Sequence, residues 1–377
     1  MASPSIRVLV VDDSAVIRQI LGDAISSTPG MELAGTAFDG LRALEMLETA
    51  RPDVVTLDIQ MPNLDGLATL DALLGKRPVP VIMVSSLTQL GASITLEALE
   101  RGAMDYVAKP ERGSNVETAF KEDLVRKIRT VAGMDVRRIL QLRQERKKRL
   151  RERSASAEPA GATRAEDEGS SPTAVELADR CIAIGISTGG PPALAQLFEA
   201  LGPPLPPIVV VQHMPPQFTK PLAWRLNSLS SLSIKEAAHG DVLRPNHVLV
   251  APGGVHLELR PQGKWAKVAL SDGPPVSGHK PSVDVMMESA AKVYGPRLIG
   301  VIMTGMGRDG ANGCRAIRSA GGYVFGQDEA SSDVYGMNKV AFVEGHVDRQ
   351  FSLGEAAAVI QRQVRRAGRP TAAPAAV

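Results

Sequence analysis

The chain is poor in cysteine, with two in 377 residues. Cys181 and Cys314 sit among apolar or helical-looking residues and cannot build a disulfide framework, so a reducing, cytoplasmic setting is expected. Aromatic residues make up only 3%, too few for base stacking to be a main activity. No apolar run nears the roughly 18 residues that a membrane span needs. The first strand-like run, Ser5-Ile-Arg-Val-Leu-Val-Val-Asp-Asp13, is short and ends in acid, unlike a secretory leader. The protein is therefore expected to be soluble and not membrane-embedded. Net charge is also small, at +2 from 43 basic and 41 acidic residues. That balance hides a local excess: residues 137–153 hold nine basic and two acidic side chains, leaving 34 against 39 elsewhere. A basic segment thus joins two mildly acidic bodies, and no nucleic-acid footprint covers the whole chain.

At about 150 residues per domain, this length suggests two domains and a remainder. From residue 5 to 130, apolar runs at 7–11, 32–37, 54–58, 81–85 and 106–108 alternate with helical periodicity, the pattern of βα units around a parallel sheet. Residues 131–176 read as a basic helix and then a Ser-, Ala-, Glu-, Gly- and Pro-rich linker with little to bury. The basic part is read as a solvated helical spacer, with docking to acidic partners or anionic lipid as the alternatives. A second βα series occupies 177–368, with strand-like runs at 181–187, 208–213, 234–237, 247–252, 256–260, 267–271, 298–304 and 323–327. The three runs between 247 and 271 have no helix between them and read as an antiparallel hairpin or meander in a doubly wound, mostly parallel α/β fold. The tail after Arg366 is Ala- and Pro-rich and expected to fray.

Asp12 and Asp13 end the first run, Asp58 ends the third, and Lys109 follows the fifth. All four converge at the carboxyl edge of a parallel sheet, where open α/β sheets place their sites. Three carboxylates in one crevice repel one another unless a cation is present, and a hard divalent ion such as Mg2+ resolves that. Asp58 could then accept a phosphoryl group, with Lys109 neutralising charge on the transferring oxygens. Taken singly, each acid also fits a helix cap. As a set, Val11-Asp-Asp-Ser14, Leu57-Asp-Ile-Gln-Met-Pro62, Met83-Val-Ser-Ser86 and Tyr106-Val-Ala-Lys-Pro110 resemble the response-regulator receiver domain. The resemblance implies a flavodoxin-like (βα)5 fold with a five-stranded parallel sheet and Asp58 as phospho-acceptor. It further implies Asp12, Asp13, Asp58 and the Gln60 carbonyl at the Mg2+ site, with Ser85 and Tyr106 as switch residues. Gln60 stands where an acid is frequent in that family; a carbonyl ligand makes the change of little consequence.

A second constellation lies beyond residue 177. Gly185-Ile-Ser-Thr-Gly189 has the G-x-S-x-G spacing of a nucleophile elbow, in which glycines let a strand turn sharply into a helix and project Ser187. The same turn also suits a phosphate cradle or tight packing. His213 is the one histidine of six at the end of a long apolar run; His239, His247, His256 and His279 lie in or near turns, where solvated histidines are common, and His346 lies in a loop. Asp309 follows the 298–304 run in a glycine-rich turn, where it reads as the carboxylate that orients a histidine or as a helix N-cap. Ser187, His213 and Asp309 share one property, each standing just beyond a parallel strand. The order Ser, His, Asp differs from the α/β-hydrolase order, which would instead need His346. Glycines around Met306 would let its backbone N–H face a developing oxyanion.

Ile184-Gly-Ile-Ser-Thr-Gly-Gly-Pro191, Val211-Gln-His-Met-Pro215, Val250-Ala-Pro-Gly-Gly-Val255, Lys280-Pro-Ser-Val-Asp284 and Leu298-Ile-Gly-Val-Ile-Met-Thr-Gly-Met-Gly-Arg-Asp-Gly310 resemble segments of the chemotaxis protein-glutamate methylesterases, the CheB family. The resemblance spans nearly the whole chain, with a linker longer and more basic than usual. It implies Ser187 as nucleophile, His213 as general base and acid, Asp309 as orienting carboxylate and Met306 N–H as oxyanion donor. No cofactor is implied for the esterase reaction. The implied substrates are γ-glutamyl methyl esters on cytoplasmic helices of chemoreceptors, with deamidation of receptor glutamines by the same chemistry and a chemotaxis histidine kinase as phosphodonor. A monomer is expected, whose unphosphorylated receiver obstructs the Ser187 rim. The alternatives are a non-catalytic, phosphorylation-dependent receptor adaptor and a methylesterase serving a pathway other than motility.

Overall fold

The computed structural model describes residues 5–86, 88–109, 114–156, 174–263 and 265–366. Most of the expected linker (157–173), the expected frayed tail (367–377) and Pro110 lie outside the described residues. The chain divides into two compact units, Met1–Arg143 and Gln144–Val377.

The first unit alternates strand and helix in the order β1 (Ile6–Val11), α1 (Ala15–Ser26), β2 (Met31–Ala37), α2 (Gly40–Ala50), β3 (Val54–Asp58), α3 (Gly66–Lys76), β4 (Val81–Ser85), α4 (Gln89–Arg101), β5 (Asp105–Ala108) and α5 (Ser114–Val131). All sheet pairings are parallel, and the strand order is β2-β1-β3-β4-β5. Strands β3 and β4 are buried at every residue, as expected of parallel strands covered on both faces. Helices α1 to α4 begin where the sequence offers a cap: Ser14, Asp39, Asp65 and Thr88 each accept a hydrogen bond from the amide three residues on. The basic segment forms a separate helix, α6 (Val136–Ser156), after a turn in which Gly133 takes φ +81°. Its first turns are anchored on the first unit. Val136 and Ile139 are buried there, and the Arg143 guanidinium donates to the Leu99 carbonyl at 2.9 Å.

The second unit runs α7 (Ala174–Ala178), β6 (Cys181–Ile186), α8 (Gly190–Ala200), β7 (Ile208–Gln212), α9 (Pro216–Leu229), β8 (Ser233–Glu236), β9 (His247–Val250), β10 (His256–Gln262), β11 (Trp265–Ser271), α10 (Val283–Tyr294), β12 (Leu298–Ile302), α11 (Ala311–Ser319), β13 (Tyr323–Gln327), α12 (Met337–Val343), β14 (Arg349–Phe351) and α13 (Ala356–Arg366). Seven strands form one parallel sheet in the order β14-β13-β12-β6-β7-β9-β8, and β10 and β11 pair antiparallel as a separate hairpin. The expected hairpin is present, but it holds two strands rather than three. The run at 247–250 belongs to the main sheet, parallel to β7 and β8, with three of its four residues buried. Apolarity on both faces suits an interior parallel strand, whereas a hairpin laid on one side keeps an alternating pattern, as β11 does over its first four residues.

Helix α10 crosses the sheet at β6 and meets it through a glycine. A Cβ on Gly185 would overlap the Val283 side chain, so this contact accepts no larger residue. We expect Gly185→Ala to destabilise the protein by about 1–3 kcal/mol through overpacking. In urea unfolding, Gly185→Ala/Val283→Ala should recover part of that loss relative to the sum of the single changes; strictly additive effects would mean the two positions do not touch.

Candidate active site and acidic pocket

Both sheets reverse their winding at an inner strand pair, and each set of candidate residues lies at that point. In the first unit the reversal falls between β1 and β3, so Asp12 and Asp13 stand beside Asp58. One carboxylate oxygen from each lies within 4.8 Å of the others. Asp12 and Asp58 are buried and Asp13 is exposed. Lys109, just after β5, bridges the two buried acids, with its Nζ 2.9 Å from Asp12 and 2.8 Å from Asp58. Burial and the Asp58 charge push the Asp12 carboxyl above its ordinary value against the pull of Lys109. Burial works against the Lys109 ammonium, but its bonds to Asp58 and Asp12 outweigh that and raise it. This residual repulsion, among oxygen ligands alone, fits a hard divalent cation. Gln60 is exposed two residues beyond Asp58.

Ser85 closes β4, fully buried, and its hydroxyl accepts from Thr95 at 2.8 Å. Tyr106 on β5 is turned inward, 4% exposed. Lys127 of α5 stands 4.8 Å from the Tyr106 ring centroid, donates to the Tyr106 carbonyl at 2.5 Å and pairs with Asp105 and Asp123. The neighbourhood of the candidate switch ring is thus charged and specific; Lys127 had no distinguishing mark in the sequence.

In the second unit the reversal falls between β12 and β6. Ser187 and His213 follow β6 and β7, whose register pairs Ile186 with Gln212, so the two are the next pair across adjacent strands. The amide of His213 donates to the Ile186 carbonyl at 3.2 Å, and the amide of Ser187 donates to Thr304 at 3.0 Å. The Gln212 side chain donates to the carbonyls of Ser187 and His213 and ties the strand ends together. Gly305 lies against the serine: a Cβ there would stand 2.7 Å from Ser187 Cβ and 2.5 Å from Met337 Sδ. Glycine therefore lets the Gly305–Met306 loop reach Ser187, and this places Met306 beside the expected nucleophile.

Asp309 is fully buried and accepts four hydrogen bonds. His213 Nε2 lies 2.8 Å from Oδ2, Ser282 Oγ donates to Oδ1 at 2.7 Å, and the amides of Val283 and Asp284 donate at 2.7 and 3.1 Å. Burial alone would raise this carboxyl, but the bonds from His213, Ser282 and Val283 outweigh it and hold the group below the usual carboxylate range. An ionised carboxylate only accepts, so Nε2 carries the hydrogen of this bond; in the neutral imidazole that leaves Nδ1 as the acceptor. Nδ1 is buried and has no hydrogen-bond partner among the described residues.

Two of the histidines in turns have defined partners. His256 is 3% exposed; its Nε2 bonds the Pro274 carbonyl at 3.0 Å and its Nδ1 accepts from the Ser282 amide at 3.2 Å. His279 stacks on His213 with ring centroids 3.8 Å apart and planes within 6°. Ser282 and Asp284 were also unassigned by sequence reasoning, although a serine two residues before an acid at the head of an apolar helix is a capping signal. Asp284 accepts from the amides of Gly310 and Gly313 at 2.8 and 2.7 Å and so caps α11.

An acidic pocket with a bridging lysine on a 2-1-3-4-5 sheet, followed by a doubly wound unit that sets an Asp–His pair beside an elbow serine, defines a receiver coupled to a hydrolase. The second unit matches the family model CheB methylesterase over residues 182–360, and the first matches the response regulator receiver domain over 8–121. A protein of Pectobacterium atrosepticum named protein-glutamate methylesterase/protein-glutamine glutaminase is 44% identical over 349 residues, 92% of this chain and 94% of that one. A protein of the same name from Pyrococcus abyssi is 42% identical over 345 residues, 91% and 89% of the two chains. The crystal structure of the Thermotoga maritima CheB methylesterase catalytic domain aligns at 38% identity with a TM-score of 0.48, covering 49% of this chain and 98% of that chain. The chain belongs to the CheB methylesterase family. No described helix is long and apolar enough to cross a membrane.

Burial, together with the Asp309 charge, pushes Asp284 up to about 6 despite its amide donors. Its ordinary value is 3.8, so between about pH 4 and 6 the folded state holds a proton that the unfolded chain has released. The stability this confers is complete below pH 4 and is lost as pH rises through 6. Asp284→Asn keeps an oxygen acceptor for the two amides and should flatten that part of the stability–pH curve, measured by urea unfolding at pH 4, 5 and 6. An unchanged slope would place the titrating group elsewhere.

Proposed function

We propose that this protein is a phosphorylation-activated protein-glutamate methylesterase that also deamidates glutamine side chains, acting on cytoplasmic helices of chemoreceptors. The observation that carries the reading is the buried Asp309–His213 pair set beside Ser187 at the ends of three neighbouring strands. Family membership and the names of the relatives supply the substrate class. In this reading the receiver spans 5–130, the basic helix and linker 131–176 and the esterase 177–368, and the protein works in the cytoplasm.

Ser187 Oγ attacks the γ-carbonyl while His213 Nδ1 takes its proton, and Asp309 steadies the imidazolium through Nε2–H. The carbonyl oxygen becomes an oxyanion that the Met306 amide stabilises, an effect typically worth about 10²–10³ in rate. Collapse breaks the ester bond, and His213 returns the proton to the departing methanol, or to ammonia from a glutamine. Water, deprotonated by the same nitrogen, then cleaves the acyl-serine and leaves a glutamate carboxylate. No cofactor is needed for these steps.

In the receiver, Asp58 is the phospho-acceptor from a histidine kinase, with Mg2+ held by Asp12, Asp13, Asp58 and the Gln60 carbonyl. Bound there, the ion would neutralise charge on the phosphoryl oxygens, as Lys109 does from the other side. Ser85 and Tyr106 are the residues that follow the phosphoryl group.

Methanol release from methylated receptor membranes tests both halves. Ser187→Ala should lower turnover by at least about 10³-fold; wild-type turnover in that variant would mean that Ser187 is not the nucleophile. Asp58→Asn should keep basal turnover and lose stimulation by a small phosphodonor with Mg2+. Stimulation that survives this change would place the acceptor elsewhere.

A further inference from the structure

His279 has no part in the proton transfers above, yet its ring lies flat on that of His213, 3.8 Å away and within 6° of parallel. The single bond from Nε2 to Asp309 fixes one edge of the His213 imidazole and leaves the ring free to swing about that bond. The outer torsion of histidine is broad and supplies little restraint of its own. The direction of the Nδ1 lone pair therefore needs a second constraint. A flat partner on one face provides it, because tilting His213 would break the stack.

The segment that carries His279 is built to hold still. Val276 and His279 exchange both backbone hydrogen bonds, at 3.0 and 2.9 Å. Ser277 and Gly278 between them take φ +53° and +81°, the left-handed pair of a type I′ turn. The turn is pinned on both sides. Before it, Pro274 accepts from buried His256; after it, the Lys280 ammonium pairs with Asp272 at 2.7 Å, and the Lys280 carbonyl accepts from Gly254 at 3.2 Å. The Ser282 amide then returns to His256, and the Ser282 hydroxyl reaches Asp309. One short stretch of chain thus holds both the carboxylate that orients His213 and the ring that faces it.

We infer that His279 is a positioning residue of the hydrolytic site, aiming His213 Nδ1 at Ser187 by stacking and not by proton transfer. The inference rests on the Ser187–His213–Asp309 reading. It requires a flat ring at position 279 but no ring nitrogen, which separates it from a catalytic or receptor-contact role.

The test uses the full-length protein and two readouts: the rate at which a small fluorophosphonate labels the active serine, which needs His213 but no receptor, and methanol release from methylated receptor membranes. His279→Ala should slow labelling and kcat by about five- to tenfold, the worth of an aromatic pair, with KM for receptor within about twofold. His279→Phe should restore both to within about threefold of wild type, and His279→Leu, of similar bulk but not flat, should behave like alanine. Thermal midpoints identify any variant slowed by partial unfolding; the comparison of Phe with Leu at matched midpoints then decides. Wild-type labelling by His279→Ala, a phenylalanine variant no faster than leucine, or an effect confined to KM would each overturn the inference. Ser187→Ala is the control for the underlying reading: if it is labelled at the wild-type rate, the triad itself is wrong, whatever position 279 does.

Discussion

One buried carboxylate organises the second unit. Asp309 stands at the head of α11, yet its oxygens receive the first amides of α10, where the positive end of that helix favours an anion. Asp284, in the first turn of α10, does the same for α11 through Gly310 and Gly313. Each helix is thus capped by an acid borne at the start of the other. A buried amide left without a partner costs about 1–3 kcal/mol, so neither helix end can move without stranding donors of both. His213 takes the one remaining position on Asp309 and inherits this rigidity. A hydrolytic histidine held by a mobile carboxylate would lose its aim with every fluctuation; here the carboxylate is among the least mobile groups that packing and hydrogen bonding can make.

The two units solve opposite electrostatic problems with the same sheet geometry. Both place their polar groups at the carboxyl ends of strands where the winding reverses, because the two outgoing loops diverge there and leave a crevice. In the first unit the crevice concentrates negative charge, only partly answered by Lys109, and it is suited to take up a cation. In the second, four hydrogen bonds stabilise the charge of Asp309 without a metal or a lysine. The same topological position therefore serves a pocket with unanswered negative charge and a pocket whose carboxylate is held by hydrogen-bond donors.

The strand framework was readable because interior parallel strands are short β-branched runs, and the helices of the first unit start at Ser14, Asp39, Asp65 and Thr88, residues whose side chains suit caps. Strand β9 was misread because it shares with the hairpin the one feature used to group them, the lack of an intervening helix. Strand β14, three residues long, is too short for periodicity to register. In the site, Ser187, His213 and Asp309 announce themselves by standing after strong strands. His256 and His279 do not: a histidine in a turn looks the same in sequence whether water or another ring faces it, and only the folded turn from Pro274 to Ser282 decides. The partners of Asp309 were hidden for a related reason, since Ser282 and Asp284 read as ordinary caps of their own helix and their bonds to Asp309 and the head of α11 exist only in three dimensions.

The strand order also explains which nitrogen of His213 meets Asp309. Ser187 and His213 stand at the ends of adjacent strands, about 4.8 Å apart, and in the proposed mechanism the nitrogen nearer the backbone, Nδ1, is the one that serves the serine. Asp309 follows β12, on the far side of β6 from β7, and only the distal Nε2 can span the end of β6 to meet it. The assignment is the reverse of the trypsin-type triad, in which Nε2 serves the serine and Nδ1–H the carboxylate. A carboxylate two strands away binds the far nitrogen and leaves the near one to act as base in the proposed mechanism, whereas the opposite placement would require the histidine to fold back over its own strand. The chain order Ser, His, Asp and the reversed imidazole are thus two consequences of one arrangement, β12-β6-β7, in which the serine strand lies between the other two.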